Sequence, residues 1–168
     1  MVNKKYSNHL FAILIFILLL ILQVIFVPFI AIENAVPDLV VILIVYYSLK
    51  EGQINGMIFG FATGLVFDLV SGSLLGSAAL AKTLAGFVAG FFSSKRVDIY
   101  LNTFRFIFIV LLTAFVNSST FALVTNFDLN NNLVNLIFEQ GITPALYTGL
   151  VSAIWFYAMP QKKGEFLK

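Results

Sequence analysis

The sequence contains no cysteine and a single histidine, His9. Disulfides, thiolate metal sites, cysteine nucleophiles and histidine clusters are thereby excluded, and with them most metal-dependent and thiol chemistry. Charge is scarce as well: Asp, Glu, Lys and Arg make up 11% of the 168 residues, against roughly 25% in soluble domains. Apolar residues take up the difference, at 60% of the chain with a mean hydropathy of +0.99. Water is a poor solvent for such a chain, and an integral membrane protein is expected. A formal charge of +2 would suggest anionic partners in a soluble protein, but in a membrane protein the place of each charge matters more than the sum. Nucleic acid is not indicated. Since each membrane-spanning helix takes about 20 residues, residues 1–168 suit one polytopic membrane domain with no room for a soluble one.

Catalytic signatures are missing too. There is no Gly-x-Ser-x-Gly elbow, no His-Glu-x-x-His, no phosphate-binding Gly-rich loop ending in Gly-Lys-Ser or Gly-Lys-Thr, and no acidic cluster for metal-assisted transfer. No catalytic residue, metal ligand or cofactor site is therefore assigned. An aspartyl pair is a poor prospect, because Asp68 has only the distant Asp38 as a companion and Asp38 sits at a helix end.

Hydropathy marks six candidate spans: Leu10 to Ile30, Asp38 to Leu49, Ile54 to Val70, Leu74 to Phe92, Phe104 to Thr125 and Leu136 to Met159. The first is longer than the roughly 7 to 15 residues of a cleavable signal core and lacks a small-x-small cleavage site, so it reads as a retained helix. The second is short for a hydrocarbon core of about 30 Å, and must be thinly embedded, extended by its neighbours, or re-entrant. Charge placement favours a crossing. With six crossings and both termini cytoplasmic, Lys4, Lys5, Lys50, Lys95, Arg96, Arg105, Lys162, Lys163 and Lys168 face inward, while the outer loops carry Glu33 and Asp128. Removing the second crossing would move Lys95 and Arg96 outside.

Gly52, Gly56, Gly60, Gly64 and Asp68 recur at a spacing of four, which aligns them along one face of the third helix. Small residues let helices approach closely, the main source of association in lipid. This face is expected to pack inside the chain or against a partner's helix. Lys82, Gly86 and Gly90 repeat the spacing on the fourth helix, and Gly76, Gly86 and Gly90 join the glycines expected to pack helices or partners, with Ser71-Gly72-Ser73 as the turn between the two helices. Asp68 and Lys82 fall at similar depth and are candidate partners. A pair pinning two helices, a ligand pocket and a proton-carrying carboxylate all remain open for them. Asp38, directly after Pro37, suits a helix cap. Asn117, Ser118, Ser119 and Thr120 interrupt the fifth span and call for interhelical hydrogen bonds. Pro144 and Gly149 mark a kink in the sixth, with Glu139 and Gln140 near the outer surface.

The order Val36-Pro37-Asp38-Leu39, then Gly52 to Gly64 ending in Gly64-Leu65-Val66-Phe67-Asp68-Leu69, then Ser71-Gly72-Ser73-Leu74-Leu75-Gly76, resembles the MreD family of rod-shape-determining membrane proteins. Residues 33 to 92 carry the resemblance best. It implies a non-catalytic scaffold of the bacterial cell-elongation machinery in the cytoplasmic membrane. The implied partners are MreC, the glycosyltransferase RodA with its elongation-class penicillin-binding protein, MreB filaments indirectly, and membrane lipids. The positions matching the family most clearly are Pro37, Asp38, Gly60, Gly64, Asp68 and Gly76. The resemblance also implies a helical fold similar to the substrate-binding subunits of energy-coupling-factor vitamin transporters, and a small-solute transporter subunit is the alternative function.

Overall fold

The computed structural model describes residues 3–31, 36–93, 104–126 and 136–158. Within them the chain forms six α-helices and no strand: α1 (Asn3–Ile25), α2 (Leu39–Glu51), α3 (Gln53–Ser71), α4 (Ser77–Phe91), α5 (Phe104–Thr125) and α6 (Thr143–Ala158). A 3-10 turn at Val27–Ile30, opened by Pro28, follows α1, and a π-helical stretch at Ile137–Ile142 precedes α6. The charges at positions 4, 5, 95, 96 and 162 to 168, the loop acids Glu33 and Asp128, and the side chain of His9 lie outside what is described.

The short second helix is the centre of the bundle. Val40 to Val45 are all buried, and α2 touches each of the other five helices. A helix that is apolar all round must be covered all round, and Leu39–Glu51 has no polar face until its last turns. On one side Val41, Val45 and Leu49 pack with Phe106, Ile109 and Val110 of α5. On the other, Val40, Leu43 and Ile44 pack with Phe16 and Leu20 of α1. Thirteen residues reach only about 20 Å at 1.5 Å per residue, and the longer helices α1, α3 and α5 pack around them.

Three glycines with positive φ make the joints. Gly52 (φ 90°) alone separates α2 from α3, and its N–H closes on the Ser48 carbonyl. Gly72 (φ 69°) ends α3, and Gly76 (φ 99°) starts α4. L-residues with a Cβ rarely adopt this conformation. The two helices then run back along one another in the most extensive helix pair of the fold.

The partition of polarity is inverted relative to a soluble domain. The outward faces carry Leu14, Leu18 and Ile21 of α1, Ile58 and Phe61 of α3, Phe108 of α5, and Leu146 and Leu150 of α6, while Asp68, Lys82, Thr113, Asn117 and Thr148 are buried. Such continuous apolar exposure is disfavoured in water. Helices α3 and α5 are long and apolar enough to cross a membrane; Leu10–Ile25 and Ser77–Phe91 are apolar but shorter.

Candidate functional site

The buried Gln23, Asp68, Ser77, Lys82, Asn117 and Thr148 gather at the end of the bundle where α1, α3 and α5 finish and α2, α4 and α6 begin. Asp38 is the hub. Its Oδ1 accepts from the Val41 N–H at 3.1 Å and so caps α2. Its Oδ2 accepts from Lys82 Nζ at 2.5 Å and from Asn117 Nδ2 at 3.2 Å, and its own N–H donates to Thr148 Oγ1 at 2.9 Å. One residue therefore ties together α2, α4, α5 and α6. Gln23 adds α1: its Nε2 donates to the Pro37 carbonyl and its Oε1 accepts from the Leu39 N–H, both at 2.9 Å. The peptide units on either side of Asp38 are thus held by a side-chain amide that satisfies both a donor and an acceptor. Nearby, the Tyr147 hydroxyl donates to the Ile30 carbonyl.

Lys82 is 2% exposed and the Asp38 side chain 17%. The ammonium also lies 5.0 Å from the centre of the Phe67 ring, within range of a cation–π attraction. The expected partnership of Lys82 with Asp68 is therefore corrected. Both were placed at similar depth, but depth says nothing about azimuth around the helix, and Lys82 turns inward to the start of α2.

Asp68, 1% exposed, instead caps α4. Its Oδ2 accepts from the N–H groups of Gly76 (2.9 Å) and Ala79 (3.1 Å), and its Oδ1 from Ala78 N–H (3.0 Å), Ser73 Oγ (2.7 Å) and Ser77 Oγ (3.2 Å). A carboxylate among the free N–H groups at a helix start meets both their hydrogen bonds and the positive end of the helix dipole. The pattern Asp68, Ser73, Gly76, Ser77 carried that signal, a carboxylate and two hydroxyls around a glycine turn. Gln23, a lone amide in an otherwise apolar run, and Thr148 were not singled out from sequence.

The glycine stripe divides in two. A Cβ on Gly64 would lie within 2.5 Å of the Ala78 carbonyl oxygen; on Gly60 it would collide with the Lys82 carbonyl, on Gly56 with Ser48, on Gly86 with Gly56 and on Gly90 with Gln53. These five faces are filled by the chain's own helices. Gly52 and Gly76 do not belong to the contact: a Cβ on the first would meet only Ser93 Oγ, at 4.0 Å, and one on the second would meet open space, and both serve as positive-φ joints. The expected kink at Pro144 and Gly149 is a π stretch just before Pro144. Proline brings no N–H, so a regular turn cannot be completed there. Gly149 packs against Leu111.

Beside Asp38 and Lys82 lies a cavity of about 360 Å³. Gln23, Asn117, Ser118 and Gln140 give it polar walls, and Val36, Phe67, Phe121 and Pro144 apolar ones. Among the described residues no three His, Cys, Asp or Glu gather as metal ligands. The arrangement has a paired acid and base, amides and hydroxyls, and no activated nucleophile; it clamps helices together.

The family described as rod shape-determining protein MreD matches residues 4–162. The chain belongs to the MreD family. This is a family of membrane proteins that determine cell shape, and its role is structural; it is not a known enzyme family. The match covers all six described helices nearly from end to end, so the Asp38 clamp, the Asp68 cap and the α3/α4 glycine contact all lie within the family region. No curated protein and no solved structure matches the chain. The transporter alternative finds no support in these comparisons.

Proposed function

We propose that the chain is a non-catalytic scaffold of the cell-elongation complex, resident in the bacterial cytoplasmic membrane, where it holds components of the peptidoglycan-synthesising machinery. Membership of the MreD family over residues 4–162 carries this reading. The interior supports it, because the buried charged groups are spent on joining helices: Lys82 and Asp38 on one another, Asp68 on the start of α4. On this reading all six helices cross the bilayer with both termini inside, in keeping with the lysine and arginine distribution. MreC, RodA and its penicillin-binding protein are the proposed partners, with MreB reached indirectly.

The glycine faces are occupied internally, so docking falls to the outer apolar faces. Among the described residues helix α1 packs mainly on α2, the adjoining 3-10 turn and, less extensively, α3. Its outward row of Leu14, Leu18 and Ile21 is exposed. Bulky substitutions there would disturb a neighbour's approach without touching the clamp. The test is affinity purification of the tagged protein at native level in mild detergent, with mass spectrometry of co-purifying chains and Leu14→Trp/Leu18→Trp as comparison. Recovery of elongation proteins, reduced in the variant, supports the reading. Recovery of ATP-binding-cassette subunits in their place overturns it.

A further inference from the structure

The clamp uses only part of the polar equipment around it. Asn117 is 5% exposed; its Nδ2 is bonded to Asp38, but its Oδ1 has no hydrogen-bond partner. A buried acceptor left unmatched costs roughly 1 to 3 kcal/mol. It belongs to a residue lining the cavity, next to Ser118, with Gln23 and Gln140 on other walls. Gln140 reaches the cavity wall from the π-helical stretch Ile137–Ile142, a departure from regular helix that is frequent at functional sites.

We propose that this cavity takes an uncharged, hydroxyl-bearing headgroup of a membrane lipid, a glycosyl group or its equivalent. Charge decides against the ionic alternatives. Lys82 and Asp38 neutralise one another in contact, so an anion gains no free cation, and an ammonium drawn to Asp38 meets Lys82 beside it. Hydroxyl groups both donate and accept, which matches the unmatched acceptor of Asn117 and the Nε2 donor of Gln140, whose Oε1 already accepts from Asn126 Nδ2 at 2.6 Å. The C–H faces of a sugar-like ring suit Phe67 and Phe121. The volume, about 360 Å³, lies at the small end of ligand pockets, which begin near roughly 300 Å³, and fits a single ring. Val36 lines the cavity and is itself exposed, and at the same end of the bundle Leu69, Val70, Leu74 and Leu75 are all exposed. Headgroup and tail thus each have a surface of matching polarity. The inference stands apart from the scaffold reading, since a scaffold needs no ligand.

Native mass spectrometry of the full chain tests it, in a polyoxyethylene detergent that lacks sugar hydroxyls. Monoglucosyldiacylglycerol and phosphatidylethanolamine with identical acyl chains are offered at equal concentration. The wild type should retain the glucosyl lipid in excess by about fivefold or more, the factor supplied by one net hydrogen bond. Asn117→Leu, and separately Gln140→Met, should bring retention down to the phosphatidylethanolamine level in protein that still unfolds cooperatively, even where the lost Asn117–Asp38 bond lowers the midpoint. Using two variants on different helices guards against the failure of either to fold. Equal retention of both lipids by the wild type overturns the proposal, as does undiminished preference in the folded variants. Complete displacement by free glucose at the lipid's own concentration overturns the assignment to a lipid.

Discussion

Neutralising the Asp38–Lys82 pair one side at a time should give unequal losses. Asp38→Asn keeps a side-chain oxygen for the Val41 cap but removes the charge opposite an ammonium that is 2% exposed. That ammonium is left with the Phe67 ring and an amide. Lys82→Met removes the ammonium, but the carboxylate it leaves is 17% exposed and retains the Val41 N–H and Asn117 Nδ2. Breaking a buried pair by removing one partner costs about 3 to 5 kcal/mol. Asp38→Asn is therefore placed in that range and Lys82→Met below it, at about 2 to 3 kcal/mol, because partial exposure lowers the cost of the stranded charge. The double variant buries no unpaired charge, so its loss should fall below that of either single, a coupling of about 3 kcal/mol or more. Reversible unfolding in mixed micelles, titrated with dodecyl sulfate, measures all four proteins. Additive losses would refute a direct pair. Stronger coupling of Lys82→Met with Asp68→Asn than with Asp38→Asn would restore the pairing expected from sequence.

Gly60→Ala and Gly64→Ala should each destabilise by about 1 to 3 kcal/mol or more through overpacking against the α4 backbone, whereas Leu65→Ala on the outer face should change unfolding by far less; equal effects would remove the contact. Asp68→Ala leaves the first N–H groups of α4 and two serine hydroxyls without their acceptor, and should cost at least the roughly 2 kcal/mol of a strong cap, with faster hydrogen exchange at Ala78 and Ala79. Unchanged exchange there would contradict the cap. The natural absence of cysteine allows a clean topology test: Leu75→Cys should react with an impermeant maleimide from outside intact spheroplasts and Lys50→Cys only after lysis. The reverse pattern would invert the proposed orientation.

Helix positions were largely legible because lipid-facing and core-facing residues are both apolar, which makes runs long and boundaries polar. Phe104 to Thr125 is reproduced end for end, and Ile54 to Val70 sits inside Gln53–Ser71. The same uniformity hid orientation. Without polar faces to mark the inside, the central place of α2 and the azimuth of Lys82 could not be read from hydropathy, and axial depth alone paired Lys82 with the wrong carboxylate. The cap at Asp38 was visible because capping is local in sequence. Gln23 carries no local signal, because its two partners, Pro37 and Leu39, are 14 and 16 residues further along the chain. The small-residue stripe pointed correctly to close approach, but a stripe cannot say which helix fills it, and α4 fills it.

The most direct test of a structural, non-catalytic role is cell shape after replacement of the native gene by the doubly neutral Asp38→Asn/Lys82→Met. A clamp needs complementary groups but no titratable ones, so cells carrying the double variant should remain rods while either single variant rounds or accumulates less protein in the membrane. Spherical cells in which the double variant accumulates at the wild-type level would show that the charges themselves do chemistry, and would contradict the account.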